Sequence, residues 1–432
     1  MPQIILPVTI ESLYQVFVQH PSIQTDTRKL QPGDLFFALK GPNFNGNLFA
    51  LQALETGAAY AITDEPVNSN DERIIATDDV LTTLQQLAKH HREQFNIPYI
   101  AITGSNGKTT TKELVHAVLN EQYKTYTTEG NLNNHIGIPI TLLRIKKDAE
   151  MAVIEMGANH QKEIEGYCVY TQPTHGIITN CGKAHLEGFG GAEGVKKGKG
   201  ELFGYIRAHN GSIFAFDDYD YLHSMAKGIS NTSWYGTSAG EVTGHVLHSE
   251  PFLEIAITKG TSFQTLKTQL VGEYNLPNVL CAVTVGKKFN VPDEKIKAAI
   301  ENYAPSNSRS QLIEKGTNKI ILDAYNANPT SMKAAIENFA KLHADNKVLM
   351  LGGMMELGEE SIKEHENIAA LINQYKWKSV ALVGGDFKNI SHPFLFFNNA
   401  AEARDWFVQQ HVENSFILVK GSRSMQMEKV LA

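Results

Sequence analysis

The chain has only three cysteines in 432 residues, Cys168, Cys181 and Cys281, and no Cys-x-x-Cys. That scatter excludes a disulfide framework and fits a reducing compartment. A basic excess is also missing. Lysine and arginine number 39 against 46 acidic residues, for a net charge of −7 with no basic run. A protein that holds nucleic acid by neutralising phosphates would show the opposite balance, so no nucleic-acid partner is expected. No apolar run approaches the length of a membrane span. The opening residues Met1 to Pro7 lack the basic region and sustained apolar stretch of a secretory signal. A cytoplasmic protein is the expectation. There is no fixed-period repeat and no low-complexity tract, and the length alone implies several domains.

One further absence is local. Gly107-Lys108-Thr109 ends like a phosphate loop, yet the position five residues before Gly107 is Ile102 rather than glycine. What is present is still strong. The apolar run Pro98 to Ile102 leads into Thr103-Gly104-Ser105-Asn106-Gly107-Lys108-Thr109, and Thr110 opens a helical pattern to Leu119. Strand, glycine loop, Lys-Thr and helix are the layout of a nucleotide phosphate cradle. Backbone N–H groups of Gly104, Ser105, Asn106 and Gly107, with the helix start at Thr109 and Thr110, turn toward an anion. Lys108 reaches terminal phosphates, and the Thr109 hydroxyl suits magnesium. Without the early glycine, the loop is a variant cradle rather than that of an ordinary GTPase or small-molecule kinase.

Patterning divides the chain into three α/β segments. Residues 1–96 read as a small α/β unit, with strands at Leu35–Leu39 and Ala58–Thr63 and a helix at Leu81–Phe95. Residues 97–305 begin with the cradle strand and continue with apolar runs at Met151–Met156 and Gly176–Asn180. Continuous apolar strands alternating with helices predict a parallel sheet covered on both faces. The period then changes to two at Leu253, Ile255 and Ile257 and again at Leu266, Thr268 and Leu270, which predicts an antiparallel flap. A helix over Asp293–Tyr303 closes the segment. Residues 306–432 restart the strand–loop–helix pattern at Lys319–Leu322, Val348–Leu351, Val380–Val383 and Phe416–Val419, as in a Rossmann-like sheet whose ligands lie off the strand ends.

Several polar residues stand where such ligands bind. Glu155 ends an apolar strand, and a lone carboxylate there has no solvation reason to exist; magnesium prefers such oxygen donors. His185 follows the strand ending at Asn180 and is a poor magnesium ligand by type. Lys196, Lys197 and Lys199 cluster, and spacing does not choose among them. Asn275 and Asn278 suit helix caps, or the reading of an adenine edge. Asp323, Tyr325, Asn326 and Asn328 make a polar loop after a buried strand. Lys420 and Arg423 flank Gly421-Ser422, two fixed cations beside a helix start that would suit an anion or carboxylate.

Taken together these residues resemble the Mur ligases, the ATP-dependent amide-forming enzymes of peptidoglycan precursor synthesis. Thr103 to Thr109 is similar to their cradle, which also lacks the early glycine. Asp26-Thr27-Arg28 with Pro32-Gly33-Asp34-Leu35-Phe36 and Gly46 resembles their uridine-nucleotide region, implying substrate contacts at Thr27 and Arg28. Thr128 to Asn134 with Gly137 and Pro139 resembles the loop that meets the muramoyl substrate, implying Asn131 and Asn134. Glu155-Met156-Gly157-Ala158, Asn180 and Ala184-His185 resemble the metal region, and Lys199-Gly200-Glu201 matches the family's Lys-Gly-Glu. The resemblance therefore implies a carbamylated Lys199 that holds magnesium with Thr109, Glu155 and His185, and catalytic roles for Lys108, Lys199, Glu155 and His185. It implies nucleotide contacts at Asn275, Arg309 and Asp323. Tyr325, Asn326, Asn328, Gly352 to Gly358, Lys420 and Arg423 match the branch that adds D-alanyl-D-alanine, with the substrate-facing residues at Tyr325, Asn326, Asn328, Lys420 and Arg423. Two stretches depart from the family: Asn43-Phe44-Asn45-Gly46-Asn47 replaces an Asp-Gly-His arrangement, and the junction Ser306-Asn307-Ser308-Arg309 lacks a glycine-rich lead.

The implied reaction joins D-alanyl-D-alanine to a UDP-N-acetylmuramoyl-tripeptide through an acyl phosphate, with ATP and magnesium, in a monomer. Two rivals stand beside it. A sister Mur ligase or a folylpolyglutamate-type ligase would add a different amino acid. A nucleotide-gated binding protein would hydrolyse ATP without ligation.

Overall fold

The computed structural model describes residues 8–306 and 309–432. The first seven residues, and Asn307 and Ser308 of the junction, lie outside the described residues. The chain forms two compact units. One gathers the chain through Ala101 with Tyr123–Gly157 and Glu163–His175; the other gathers Ile102–Gln122, Ala158–Lys162 and Gly176–Ala432.

In the first unit, four short parallel strands stand in the order Ile23–Gln24, Leu35–Phe37, Tyr60–Thr63, Ile74–Ala76. Phe36 and Ala61 of these strands, with Ala38 just beyond the second, pack with Ala50, Ala53 and Leu54 of the helix Ala50–Thr56. The helix Val80–Arg92 starts where Asp79 accepts from Thr82 N at 2.7 Å, the side-chain cap that satisfies an otherwise orphaned helix N–H. Strands Thr125–Thr127 and Met151–Glu155 pair in parallel in the same unit.

The second unit has two strand systems. The first runs Thr265–Lys267, Glu254–Lys259, Val242–His248, Asn231–Gly236, Ser212–Phe216, His175–Ile178. Ser212–Phe216, Asn231–Gly236 and Val242–His248 are parallel to one another. Glu254–Lys259 and Thr265–Lys267 are antiparallel, the flap that two-residue alternation predicts. Thr265–Lys267 is the edge. Its outer backbone is already engaged by the helix Asp293–Asn302: Lys267 N donates to Glu301 Oε1 at 3.0 Å, and Thr265 O accepts from Lys297 Nζ at 2.7 Å.

The second system is six-stranded, in the order Gln311–Lys315, Asn318–Asp323, Phe416–Lys420, Lys347–Gly352, Ser379–Val383, Leu395–Phe397. All pairs are parallel except the first. The four strands predicted for this segment are its centre, with Ile320, Val348, Met350, Ala381 and Ile417 in the core. Of the two outer strands, Gln311–Lys315 has only Leu312 and Ile313 among polar residues, and Leu395–Phe397 is apolar but only three residues long. The helix Pro329–Lys341 begins with a capping box: Asn328 accepts from Ser331 N, and the Ser331 hydroxyl accepts from Asn328 N.

Candidate active site

The cradle is built as its sequence requires. The strand Tyr99–Thr103 ends, the chain curls through Gly104 and Gly107 with φ of +145° and +78°, and the helix Lys108–Asn120 begins with no side-chain cap. An uncapped helix start is an anion site; of the curl's N–H groups, those of Ser105 and Asn106 turn to the neighbouring segment and not to an anion as the motif predicts. The curl is pinned by the segment that follows the strand His175–Ile178. Ser105 N donates to Asn180 O at 2.9 Å, Ser105 Oγ donates to Gly182 O at 2.9 Å, and Asn106 N donates to Asn180 Oδ1 at 3.0 Å. Thr179 Oγ1 donates to Asn106 O at 2.6 Å. Thr179 is a positioning residue that the motif alone does not reveal; its signal is its place at the end of the neighbouring strand.

That close wall explains Gly104. A Cβ there would sit 2.0 Å from Thr179 Oγ1, on a backbone that L side chains rarely adopt. Gly104→Ala is expected to cost about 2 kcal/mol or more of stability, read as a lower midpoint of denaturant unfolding. Nucleotide affinity should fall with it. An unchanged midpoint would contradict the tight approach.

Lys108 folds over the curl, donating through Nζ to Gly104 O at 2.8 Å and Ser105 O at 3.4 Å. Behind the loop helix runs a chain of amides. Thr111 Oγ1 donates to Asn278 Oδ1 at 3.1 Å, Asn278 Nδ2 to Asn275 Oδ1 at 2.9 Å, and Asn275 Nδ2 to Val271 O at 2.9 Å. Capping is therefore not what Asn275 does: it stands at the start of the helix Leu276–Lys288 without a side-chain cap bond. Packing against the loop helix gives Asn278 a partner in Thr111, and Asn278 in turn takes up the side-chain oxygen of Asn275.

The three clustered lysines separate by burial. Lys196 pairs with Glu193 at 2.7 Å on the surface, and Lys197 is exposed. Lys199 is 1% exposed, donates to Ala158 O at 2.9 Å and lies 4.8 Å from the centre of the Phe189 ring. Cys181 is nearby; burial pushes its thiol up to about 12, with Lys199 a weaker opposing influence. His185 takes a left-handed backbone, φ +52°, and its Nδ1 pairs with Glu356. That partner holds the Glu356 carboxyl below its ordinary range.

The C-terminal segment reaches this region directly. Asn328 Nδ2 donates to Asn106 Oδ1 at 2.7 Å, Lys183 N to Thr330 Oγ1 at 2.9 Å, and Lys183 Nζ pairs with Glu364 at 2.6 Å. Asp323 accepts from Ser310 N at 3.2 Å and from Lys420 Nζ at 2.5 Å. Lys420 Nζ also donates to Asn326 O at 3.2 Å. Arg309 stacks on the Tyr325 ring at 3.6 Å. Lys420 and Arg423 do not form the paired cation site that their spacing predicts. Lys420 is buried on Asp323, while Arg423 is largely exposed and pairs with Glu428 at 3.0 Å. The helix start beside them is a three-residue turn of 3-10 helix, Arg423–Met425.

The first unit holds the other candidates. Glu155 is 1% exposed; its Oε1 accepts from Asn133 Nδ2 at 2.7 Å, and its N–H donates to Thr128 Oγ1 at 3.0 Å. Asn134 Oδ1 accepts from Ile136 N and Gly137 N, closing the turn into the helix Gly137–Leu143. Asn131 is exposed. Thr27 and Arg28 lie in the short helix Thr27–Lys29. Arg28 grips Asp26 with two hydrogen bonds and holds that carboxyl at about 2. In the departing stretch, Asn47 exchanges hydrogen bonds with Asp64, side chain to side chain at 2.8 Å and backbone to side chain at 3.1 Å. Among the described residues no three His, Cys, Asp or Glu side chains gather as a metal site, and no helix is long and apolar enough to cross a membrane.

Three family models match the chain: the Mur ligase family, catalytic domain, at residues 21–95; the Mur ligase middle domain at 102–286; and the Mur ligase, glutamate ligase domain at 308–423. The UDP-N-acetylmuramoyl-tripeptide–D-alanyl-D-alanine ligase of Bacillus subtilis is 35% identical over 97% of this chain and 93% of its own length. A crystal structure of MurF from Acinetobacter baumannii superposes with a TM-score of 0.87 at 29% identity, covering 99% of this chain and 98% of that one. The MurF ligase of Thermotoga maritima in complex with ADP gives 0.85 at 25% identity, covering 95% and 96%.

Proposed function

The chain belongs to the Mur ligase family, and on that footing we propose that it joins D-alanyl-D-alanine to a UDP-N-acetylmuramoyl-tripeptide with cleavage of ATP, in peptidoglycan precursor synthesis. It is an ATP-dependent ligase with the three-domain α/β fold of its relatives. The domains we assign are 1–96 for the uridine nucleotide, 97–305 for ATP and 306–432 as the Rossmann-like lobe. The observation that carries the reading is the pinned curl at Gly104–Gly107, with Lys108 across it and the C-terminal segment's Asn328 upon it.

The reaction follows in two transfers. The tripeptide's terminal carboxylate oxygen attacks the γ-phosphorus of ATP, the bond to the β-phosphate oxygen breaks, and ADP leaves. Lys108 and the N–H groups of the helix start take up the charge that moves during this step. The dipeptide amine then attacks the acyl carbon, a tetrahedral adduct collapses, phosphate departs with its oxygen, and the nitrogen loses a proton. Most of the acceleration is orientation and electrostatics rather than covalent work by a side chain. Seating of the C-terminal segment on the loop keeps water from the acyl phosphate.

Magnesium, when bound, would neutralise phosphate oxygens. Its proposed holders are judged one by one. Glu155 is a buried carboxylate and Thr109 a buried hydroxyl, both suited to a hard cation. His185 has Nδ1 turned to Glu356, which leaves Nε2 as its ligating atom. An ammonium at Lys199 does not fit, whereas its carbamate would supply anionic oxygens; we therefore assign carbamylation there. Asn275, Arg309 and Asp323 are assigned to the nucleotide. Thr27, Arg28, Asn131, Asn134, Tyr325, Asn326, Asn328, Lys420 and Arg423 are assigned to the two acceptor substrates. We assign the enzyme to the cytoplasm as a monomer.

Purified protein with ATP and the tripeptide nucleotide should release phosphate on addition of D-alanyl-D-alanine, and on the order of a hundredfold more slowly without it, the scale of a positioned reactant. Activity with a diamino acid or glutamate alone would move the protein to a sister ligase. Phosphate release indifferent to any amine would mark a nucleotide-gated hydrolase.

A further inference from the structure

Asn106 is held on every side but one. Its backbone N–H donates to Asn180 Oδ1 at 3.0 Å, and its carbonyl accepts from Thr179 Oγ1 at 2.6 Å and Asn180 Nδ2 at 3.1 Å. Its side-chain Oδ1 accepts from Asn328 Nδ2 at 2.7 Å. Its Nδ2 is buried and has no hydrogen-bond partner among the described residues. A buried donor left unpaired is costly in a folded protein. In a loop shaped for anions, phosphate oxygen is the acceptor that would relieve it.

Asn328 does two things with the two ends of one amide. Its Oδ1 accepts from Ser331 N at 2.9 Å and caps the helix Pro329–Lys341, while its Nδ2 points to Asn106. The cap commits the oxygen, so the nitrogen must face Asn106. Asn106 in turn must answer with its oxygen, which leaves its own nitrogen as the unpaired donor. The orientation of one amide thus dictates that of the other. The bond from Lys183 N to Thr330 Oγ1, two residues along, holds the helix start against the same region.

We propose that Asn328 is a positioning residue for the phosphate loop: by fixing the amide of Asn106, it keeps a side-chain donor ready for the terminal phosphate of the nucleotide, and it makes that donor depend on the C-terminal segment being seated. The proposal rests on the ligase reading for the identity of its nucleotide. It differs from the acceptor-substrate role assigned to Asn328 above, because its effect passes through Asn106.

Asn328→Asp separates the two duties. Aspartate caps a helix as well as asparagine does, so the melting temperature should hold. A carboxylate cannot donate, so Asn106 must turn its nitrogen toward it and show its oxygen to the phosphate instead. Affinity for a non-hydrolysable ATP analogue, measured by calorimetry, should fall about tenfold, the scale of one lost hydrogen bond. The kcat/KM for ATP should fall by the same factor. On an Asn106→Ala background, Asn328→Asp should cause no further loss. Unchanged analogue affinity would overturn the proposal, as would an equal loss in both backgrounds. Analogue binding needs no ligation. Wild-type protein that binds the analogue but forms no amide would sink the ligase reading, and the paired variants would still decide the role of Asn328.

Discussion

Lys108→Ala is expected to lower ATP-dependent phosphate release by about three orders of magnitude or more, with or without an amine acceptor. The ammonium sits across the curl on Gly104 O and Ser105 O, where it is the one flexible positive charge that the cradle motif supplies to the terminal phosphates. The helix dipole and backbone N–H groups remain in the variant, so nucleotide should still bind, though more weakly. Lys108→Arg should not restore the rate, because a planar fork does not occupy the place of a compact point charge. Retention of more than about a tenth of the wild-type rate would remove Lys108 from the chemistry, given the size of such electrostatic contributions.

The second large effect is expected at Lys199. Lys199→Ala should lose ligation by a similar factor, roughly a thousandfold, and short carboxylic acids should restore part of it by supplying the oxygen anion that a carbamate would provide. The residue is nearly sealed from solvent, with Ala158 O as its partner and the Phe189 ring beside it. Truncation leaves a cavity the length of the missing side chain, the space that a rescuing acid has to fill. Wild-type protein equilibrated with isotope-labelled bicarbonate should show a carbamate carbon signal that Lys199→Ala lacks. With folding verified, failure of rescue together with no such signal would reject the carbamate.

Much of this site was legible before any coordinates. Glycine, lysine and threonine at a strand-to-helix turn have few other uses, so the cradle could be read residue by residue. Lys199 could not be chosen from its neighbours by the density of charge. A finer signal was present: Val195, Lys199, Leu202 and Ile206 recur at helical spacing, and all four are buried on one face of the helix Ala192–Ala208. A lysine within an apolar stripe is the anomaly that charge counting hides. Asn275 suits a helix cap by its sequence and does not act as one, for another reason. It bonds to Asn278, which is itself turned to Thr111 on a helix more than 160 residues earlier in the chain, and no local pattern reports such a contact. The pairing of Lys420 with Asp323 was equally non-local; it follows from the register that sets their strands side by side. The outer strand Gln311–Lys315 is half-buried at best and mixes apolar with charged residues, and Leu395–Phe397, though apolar, is three residues long, too short for a period to register.

The edge strand Thr265–Lys267 has a bearing on how crowded solutions of this protein behave. A sheet that ends in open backbone invites a second chain to add itself, which is how ordered aggregates begin. Here the terminal strand is three residues long, and Lys297 and Glu301 of the helix beside it already occupy its outward carbonyl and amide. A newcomer would have to displace both side chains before gaining its first ladder bond.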